Sequence, residues 1–280
     1  MNLAIDHVTI CGSHLERMRA DFAAIGLRTV YGGRHANGMT HMDLLTFPDG
    51  SYVELIAPFA SLAGAGGMMS GWVKLMEGDA GSGAWAVRST DIHAETSRLR
   101  SAGVEVRGPE VGGRQRTDGT QLEWETAMVG PGSAGSVLPF LIEDKTARDL
   151  RVPDPPASEI EGVGAVVIGV RDLKVSIAVF QRAFGLKDAS MEEHRDFGAT
   201  LAHFAHSPVI LALPTNASSW LADRLDQFGE CPAAFLLKAS CEFPTKDLQT
   251  TAKSMHWFGT DVAFFDPQRL RGARIGLIRR

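Results

Sequence analysis

Glycine stops after short apolar helical faces recur along this chain at Gly26, Gly103 and Gly185. A glycine directly after such a face closes a helix, because it adopts the left-handed backbone at no steric cost. Ahead of the first stop, Leu15, Met18, Phe22 and Ile25 share one face, and Ser13 and Glu16 have capping-box spacing. Residues 5–10 read as a preceding strand. Residues 42–47 and 51–57 read as later strands joined at the turn Pro48-Asp49-Gly50. The resulting order is strand, helix, strand, strand, strand.

That order returns. Residues 84–88 form a strand, 92–102 a helix closed by Gly103, and 122–129 and 137–142 further strands. Residues 163–170 open a third copy, with Asp172 as N-cap and Leu173, Ile177, Phe180 and Phe184 on one helical face. Ala24-Ile25-Gly26-Leu27 is echoed by Ala183-Phe184-Gly185-Leu186. A blurred fourth copy has strands near 233–238, 257–265 and 274–278, with its helix short or missing. The expected fold class is therefore α+β, built from tandem βαβββ units. Residues 64–83 link the first two units. The stretch 144–161, with Pro153, Pro155 and Pro156, divides the chain into halves at 1–145 and 160–280.

Charge narrows the partners. Lys and Arg number 28 against 33 Asp and Glu, a net charge of −5, which offers no basic footprint for nucleic acid or an anionic membrane. No apolar run approaches the roughly 20 residues of a membrane span, and the N-terminus has no basic leader region. Cys11, Cys231 and Cys241 lack metal or disulfide-framework spacing. These features predict a soluble, cytoplasmic protein.

Strand parity selects the candidate chemistry. In the first strand Asp6, Val8 and Ile10 alternate with Ile5, His7, Thr9 and Cys11; in the strand closing the unit, Tyr52, Glu54 and Ile56 share a face. The apolar Val and Leu faces should lie under the helix, so His7 and Glu54 project from the opposite side. A mid-strand carboxylate in apolar surroundings needs a partner. A buried His–Glu hydrogen bond and a bound metal both satisfy that need.

A chain that begins Ile5-Asp6-His7-Val8-Thr9-Ile10 and closes its first unit with Tyr52-Val53-Glu54-Leu55-Ile56-Ala57 resembles the vicinal oxygen chelate superfamily, in its glyoxalase-like domain family. Gly33-Arg34-His35, Asp118-Gly119 and Leu138-Pro139-Phe140-Leu141-Ile142 add to the resemblance, which is good over about 1–150 and weak over 160–215. It implies two paired-unit cupped sheets. It also implies a divalent metal (Zn, Mn, Ni or Fe(II)) held by His7 and Glu54, chelating neighbouring oxygens of a small-molecule substrate as a Lewis acid in lyase, isomerase or hydrolytic chemistry.

The chain departs from a four-ligand site. Trp85 and Phe140 stand near the positions of His7 and Glu54 in the second unit, and Ala165 with Ile210 or Leu211 in the third. The second half is accordingly expected to hold no metal and to serve packing or a dimer face. Pairing Leu45 with Glu54 through the turn would turn Asp43 and His41 toward the cup, making His41 a candidate third ligand and catalytic residue. His35 is another candidate for that position, or a substrate-binding group. Arg114 and Arg116, with Trp124 on the next strand, could close the cup over a substrate carboxylate.

Two alternatives stand beside the metal-dependent enzyme. Two histidines and one carboxylate would suit Fe(II) and ring-cleaving dioxygenase chemistry. A metal-free cup would suit a small-molecule binding or resistance protein. Gly130-Pro131-Gly132-Ser133-Ala134-Gly135 matches a dinucleotide fingerprint in letters only, since a strand rather than a helix follows it.

Overall fold

The computed structural model describes residues 3–155, 159–240 and 250–279. The first unit comprises β1 (Ile5–Cys11), α1 (Leu15–Ala24), β2 (Val30–His35), β3 (Thr40–Thr46) and β4 (Tyr52–Pro58). After the short helix α2 (Val73–Glu77), the second runs through β5 (Gly81–Arg88), α3 (Ile92–Ser101), β6 (Val106–Gln115), β7 (Gln121–Val129) and β8 (Phe140–Asp144). One turn of helix, α4 (Arg148–Arg151), precedes the third: β9 (Ile160–Gly169), α5 (Leu173–Phe184), β10 (Ala189–His194), β11 (Ala199–Phe204) and β12 (Val209–Pro214). Then α6 (Trp220–Phe228) leads into β13 (Cys231–Ala239), β14 (Thr250–Trp257), β15 (Thr260–Phe265) and β16 (Ile275–Arg279). This is the tandem βαβββ arrangement of an α+β fold. Cys241 and the stretch 241–249 between β13 and β14, where the sequence pattern has the helix short or missing, lie outside the described residues.

The first two units close into a barrel in the order β1-β4-β3-β2-β6-β7-β8-β5. The last two form a sheet in the order β10-β11-β12-β9-β13-β16-β15-β14. Strands β1 and β4 are parallel neighbours, as are β5 and β8. A single apolar core joins the outer faces of both sheets: Val8, Val53 and Trp85 with Val166, Phe180 and Phe235. Leu15, Met18 and Phe22 of α1 bury themselves in it, as the helical spacing predicts.

Ser13 does not cap α1. His14 holds the N-cap position, while the Ser13 amide and hydroxyl both donate to Asp79 Oδ1, at 2.6 and 2.8 Å. A loop carboxylate from far along the chain outcompetes the local box. Asp172 does cap α5, accepting from the Val175 amide at 3.0 Å. Strands β2, β6 and β10 carry half-exposed, glycine-containing or charged residues and so lack an apolar alternation to announce them. The expected strand at 257–265 is instead the junction of β14 and β15.

Two register features differ from simple alternation. The β1–β5 pairing shifts between Ile5 and His7, so Ile5 joins Val8 in the outer core and Asp6 turns inward beside His7. In the β3–β4 hairpin, Leu44 rather than Leu45 lies opposite Glu54. The hairpin closes between Phe47 and Ser51, one residue earlier on β3 than pairing Leu45 with Glu54 requires. Phe47 N–H donates to the Ser51 carbonyl at 3.0 Å, and Gly50 takes a φ of +77°. A three-residue loop with glycine in a left-handed conformation is a favoured hairpin connection. One residue of slip exchanges the two faces of β3.

The inner face of the second sheet carries an apolar cluster, beside which His203, Ile210, Trp257 and Ile278 line a pocket of about 480 Å³. Ala165 and Ile210 belong to that cluster together with Phe197, Trp257 and Phe264. Phe197 lies 4.8 Å from Trp257 and 5.5 Å from Phe264, ring centre to ring centre. Burying each such ring stabilises the fold by about 1.5–3 kcal/mol.

Candidate functional site

The N-terminal barrel encloses a cavity of about 350 Å³. Its walls are largely apolar and aromatic: Met42 and Leu44 from β3, Tyr52 from β4, Trp124 from β7, Phe140 from β8, and Trp72 from the segment before α2. Met68 and Met69, in the linker between the units, complete its lining beside Gly112 and Gly113. A Cβ at Gly112 would come within 2.5 Å of Trp124 Nε1, so only glycine lets that indole lie against β6.

His7 and Glu54 meet here. Parallel pairing sets His7 beside Tyr52 and Thr9 beside Glu54, and His7 Nε2 lies 3.9 Å from Glu54 Oε2. The His7 ring stacks on Tyr52 at 4.7 Å and meets Phe140 edge-on at 5.4 Å. His35 Nε2 approaches Glu54 Oε1 at 3.4 Å, while its Nδ1 is 2.8 Å from Thr40 Oγ1. Thr9 Oγ1 donates to Glu54 Oε2 at 3.2 Å. Burial alone would raise the Glu54 pKa, but the hydrogen bonding and positive character of His35, with His7 and Thr9, hold it below the usual glutamate value.

Beneath His7 lies a layer of charge that sequence reasoning missed. His7 Nδ1 contacts Asp6 Oδ1 at 2.7 Å. Arg148 and Arg151 donate to the same carboxylate at 2.6 and 2.8 Å, and Arg151 also donates to Tyr52 Oη at 2.7 Å. Burial opposes ionisation of Asp6, yet Arg151, His7 and Arg148 together drive its pKa far below the carboxylate range. An ionised carboxylate only accepts, so His7 Nδ1 carries the hydrogen and Nε2 is left facing the cavity. The adjacency Asp6-His7 was visible in sequence; alternation assigned its members to opposite faces, and the bulge brings them together.

The other candidates separate. His41 pairs with Ala57 on the outer face of β3, where its ring meets Tyr31 and Phe59, at 6.1 and 5.3 Å. It does not line the cavity. Burial also lowers its pKa. The one-residue change of hairpin register accounts for this position. His35 stands where His41 was expected, beside Glu54. Arg114 lines the cavity with Trp124. Arg116 instead donates to the Leu150 carbonyl at 3.2 Å and lies 3.4 Å from Asp118, outside the lining. In β5, Ala84 and Ala86 face inward, while Trp85 belongs to the outer core. Phe140 does occupy the counterpart of the Glu54 position, on the inner face of β8.

His7 Nε2 and the Glu54 carboxylate are donor types that suit a borderline divalent cation. Asp6, Thr9 and Thr40 supply the outer hydrogen bonds that orient such donors. Among the described residues, no group of three or more His, Cys, Asp or Glu side chains is arranged to hold a metal ion. The pair His7 and Glu54 therefore fits a cation that keeps most of its coordination positions for substrate and water, and it does not form a closed cage.

The profile of the Glyoxalase-like domain matches residues 5–166. No curated protein matches the chain. A hypothetical protein from Staphylococcus aureus shares the fold over 100% of both chains, with a TM-score of 0.67 at 15% identity. Methylmalonyl-CoA epimerase from Mycobacterium tuberculosis aligns with 45% of this chain and 93% of its own, with a TM-score of 0.39 at 20% identity. No helix among the described residues is long and apolar enough to cross a membrane.

Proposed function

Because the chain belongs to the glyoxalase-like domain family of the vicinal oxygen chelate superfamily, we propose that its N-terminal barrel is the active site of an enzyme acting on a small oxygen-bearing substrate. The observation that carries this reading is Glu54. It is a buried carboxylate, flanked by two imidazoles, kept ionised and placed at the wall of an aromatic cavity that a ligand can enter. Perturbed acids inside concave apolar sites are the usual mark of acid–base chemistry.

Glu54 accepts a proton from the substrate and returns it, as isomerase, lyase and hydrolytic reactions require. His7, oriented by Asp6, presents an unprotonated Nε2 to the cavity, where its lone pair can accept a substrate hydrogen bond or hold a cation. His35 steadies Glu54 from its other side. Tyr52, Trp72, Trp124 and Phe140 exclude water, which strengthens each of these interactions. A divalent cation is the cofactor this donor pair would take; held by His7 and Glu54, it supplies Lewis-acid polarisation of neighbouring substrate oxygens.

Titration of the purified protein with Zn, Mn, Ni and Fe(II), for the wild type and for His7→Ala and Glu54→Ala, tests the cofactor. The expected result is binding near one equivalent that is lost in both variants with the fold intact by circular dichroism. Stoichiometric metal retained in the double variant places the site elsewhere. The absence of tight binding by the wild type leaves Glu54 and His7 as a metal-independent pair. Screening turnover of small carbonyl compounds, each with and without metal, tests catalysis itself; loss of turnover in Glu54→Gln is expected.

A further inference from the structure

We propose that the barrel cavity takes a substrate with an apolar body and one carboxylate, and that Arg114 is the counter-ion which receives that carboxylate. This inference rests on the proposed active site and names the class of molecule it accepts.

Arg114 is buried, only 4% exposed, and lines the cavity. Its Nη1 donates to the Gly32 carbonyl and its Nη2 to the Arg151 carbonyl. These two bonds fix the plane of the guanidinium but bring no negative charge. Among the described residues, no carboxylate lies within ion-pair distance of it. Arg151, equally buried beside it, is compensated by both Asp6 and Asp144. Two guanidinium groups thus meet at one wall, and only Arg151 has its anions.

An unpaired buried cation is costly, and proteins ordinarily neutralise or pair such groups. Arginine cannot shed its proton in this range, so the deficit persists until an anion arrives. The guanidinium fork matches a carboxylate in shape as well as charge. The other charged groups that line the cavity set the limits of the ligand. Glu54 is an anion beside His7 and His35, and Glu110 is a second at the solvent-exposed rim. A doubly charged ligand would meet one of them, whereas a single carboxylate at Arg114 leaves the uncharged end of the molecule for Glu54. Aromatic rings and methionines between these groups favour an apolar body, and about 350 Å³ limits its size.

Binding of 3-phenylpropionate, hexanoate and benzoate, each against its neutral amide, tests this by quenching of tryptophan fluorescence, since Trp72 and Trp124 line the cavity. At least one acid is expected to bind the wild-type protein roughly tenfold more tightly than its amide. Arg114→Gln should bring that acid down to the level of its amide, and Arg114→Lys should keep part of the preference. Glu54→Gln should retain the preference, so a failure of the catalytic reading at Glu54 leaves this result intact. Equal binding of every acid and its amide to the wild type overturns the proposal without recourse to any variant. So does failure of all the acids to bind at millimolar concentration, or a preference that survives in a folded Arg114→Gln protein.

Discussion

Asp6 and His7 are sequence neighbours on one strand, yet their side chains share one buried cluster, with His7 Nδ1 2.7 Å from Asp6 Oδ1. The shift in β1–β5 pairing at this point makes that possible. It sets the imidazole tautomer from below while Nε2 remains in the cavity. The same carboxylate receives Arg148 and Arg151, so α4, more than 140 residues later in the chain, is fastened beneath the site.

Asp6→Asn removes the charge that those guanidinium groups share. Truncating one partner of a buried pair costs about 3–5 kcal/mol, because the other charge stays buried alone. Urea unfolding should register that loss. Nitrogen NMR of His7 should show the Nε2–H form gaining population, and turnover should drop about 10–100-fold, as for other groups that orient a functional histidine. An unchanged tautomer would mean that Asp6 serves packing alone.

Acid sensitivity follows from Glu54. Its folded-state pKa lies below its unfolded value, so the stability it contributes is present above the unfolded value, roughly pH 4.3, and is lost as the pH falls through the folded one. Melting temperatures of the wild type should decline across the acid range below about pH 5, and more steeply than those of Glu54→Gln. Parallel curves for the two proteins would contradict the direction of the shift.

His41→Ala should leave turnover and metal binding within about twofold of wild type, because the ring lies on the outer face of β3 with Tyr31 and Phe59. His35→Ala should not, since it removes the imidazole that approaches Glu54 at 3.4 Å. Steady-state kinetics of the two variants side by side decide the matter. A larger loss in His41→Ala would show that the hairpin adopts the other register.

Phe197 is buried against Trp257 and Phe264 on the inner face of the second sheet, which gives it a structural role. Phe197→Ala should cost about 3–5 kcal/mol, the range for deleting a buried ring from a well-packed core. The check is chemical denaturation. A cost below about 1 kcal/mol would mean that the ring has room to be replaced by neighbours or water.

The order of strands and helices could be read from the chain because it depends on local chemistry: apolar spacing on α1 and α5, the Asp172 cap, and the glycine stops. His7 and Glu54 could be paired in advance because each lies at a mid-strand position of regular parity. Beyond that, tertiary structure decided. A hairpin register shifted by one residue, closed at Phe47 and Ser51 with Gly50 in the left-handed region, exchanged the faces of β3 and moved His41 away from the site. A bulge at Asp6 broke the alternation that had separated it from His7. His35 and Arg151 reached the cavity through closure of the barrel and the return of α4, contacts between residues remote in the chain. Periodicity records which residues prefer burial. It holds no information on a single-residue shift in pairing, and such a shift determines which side chains face the cavity.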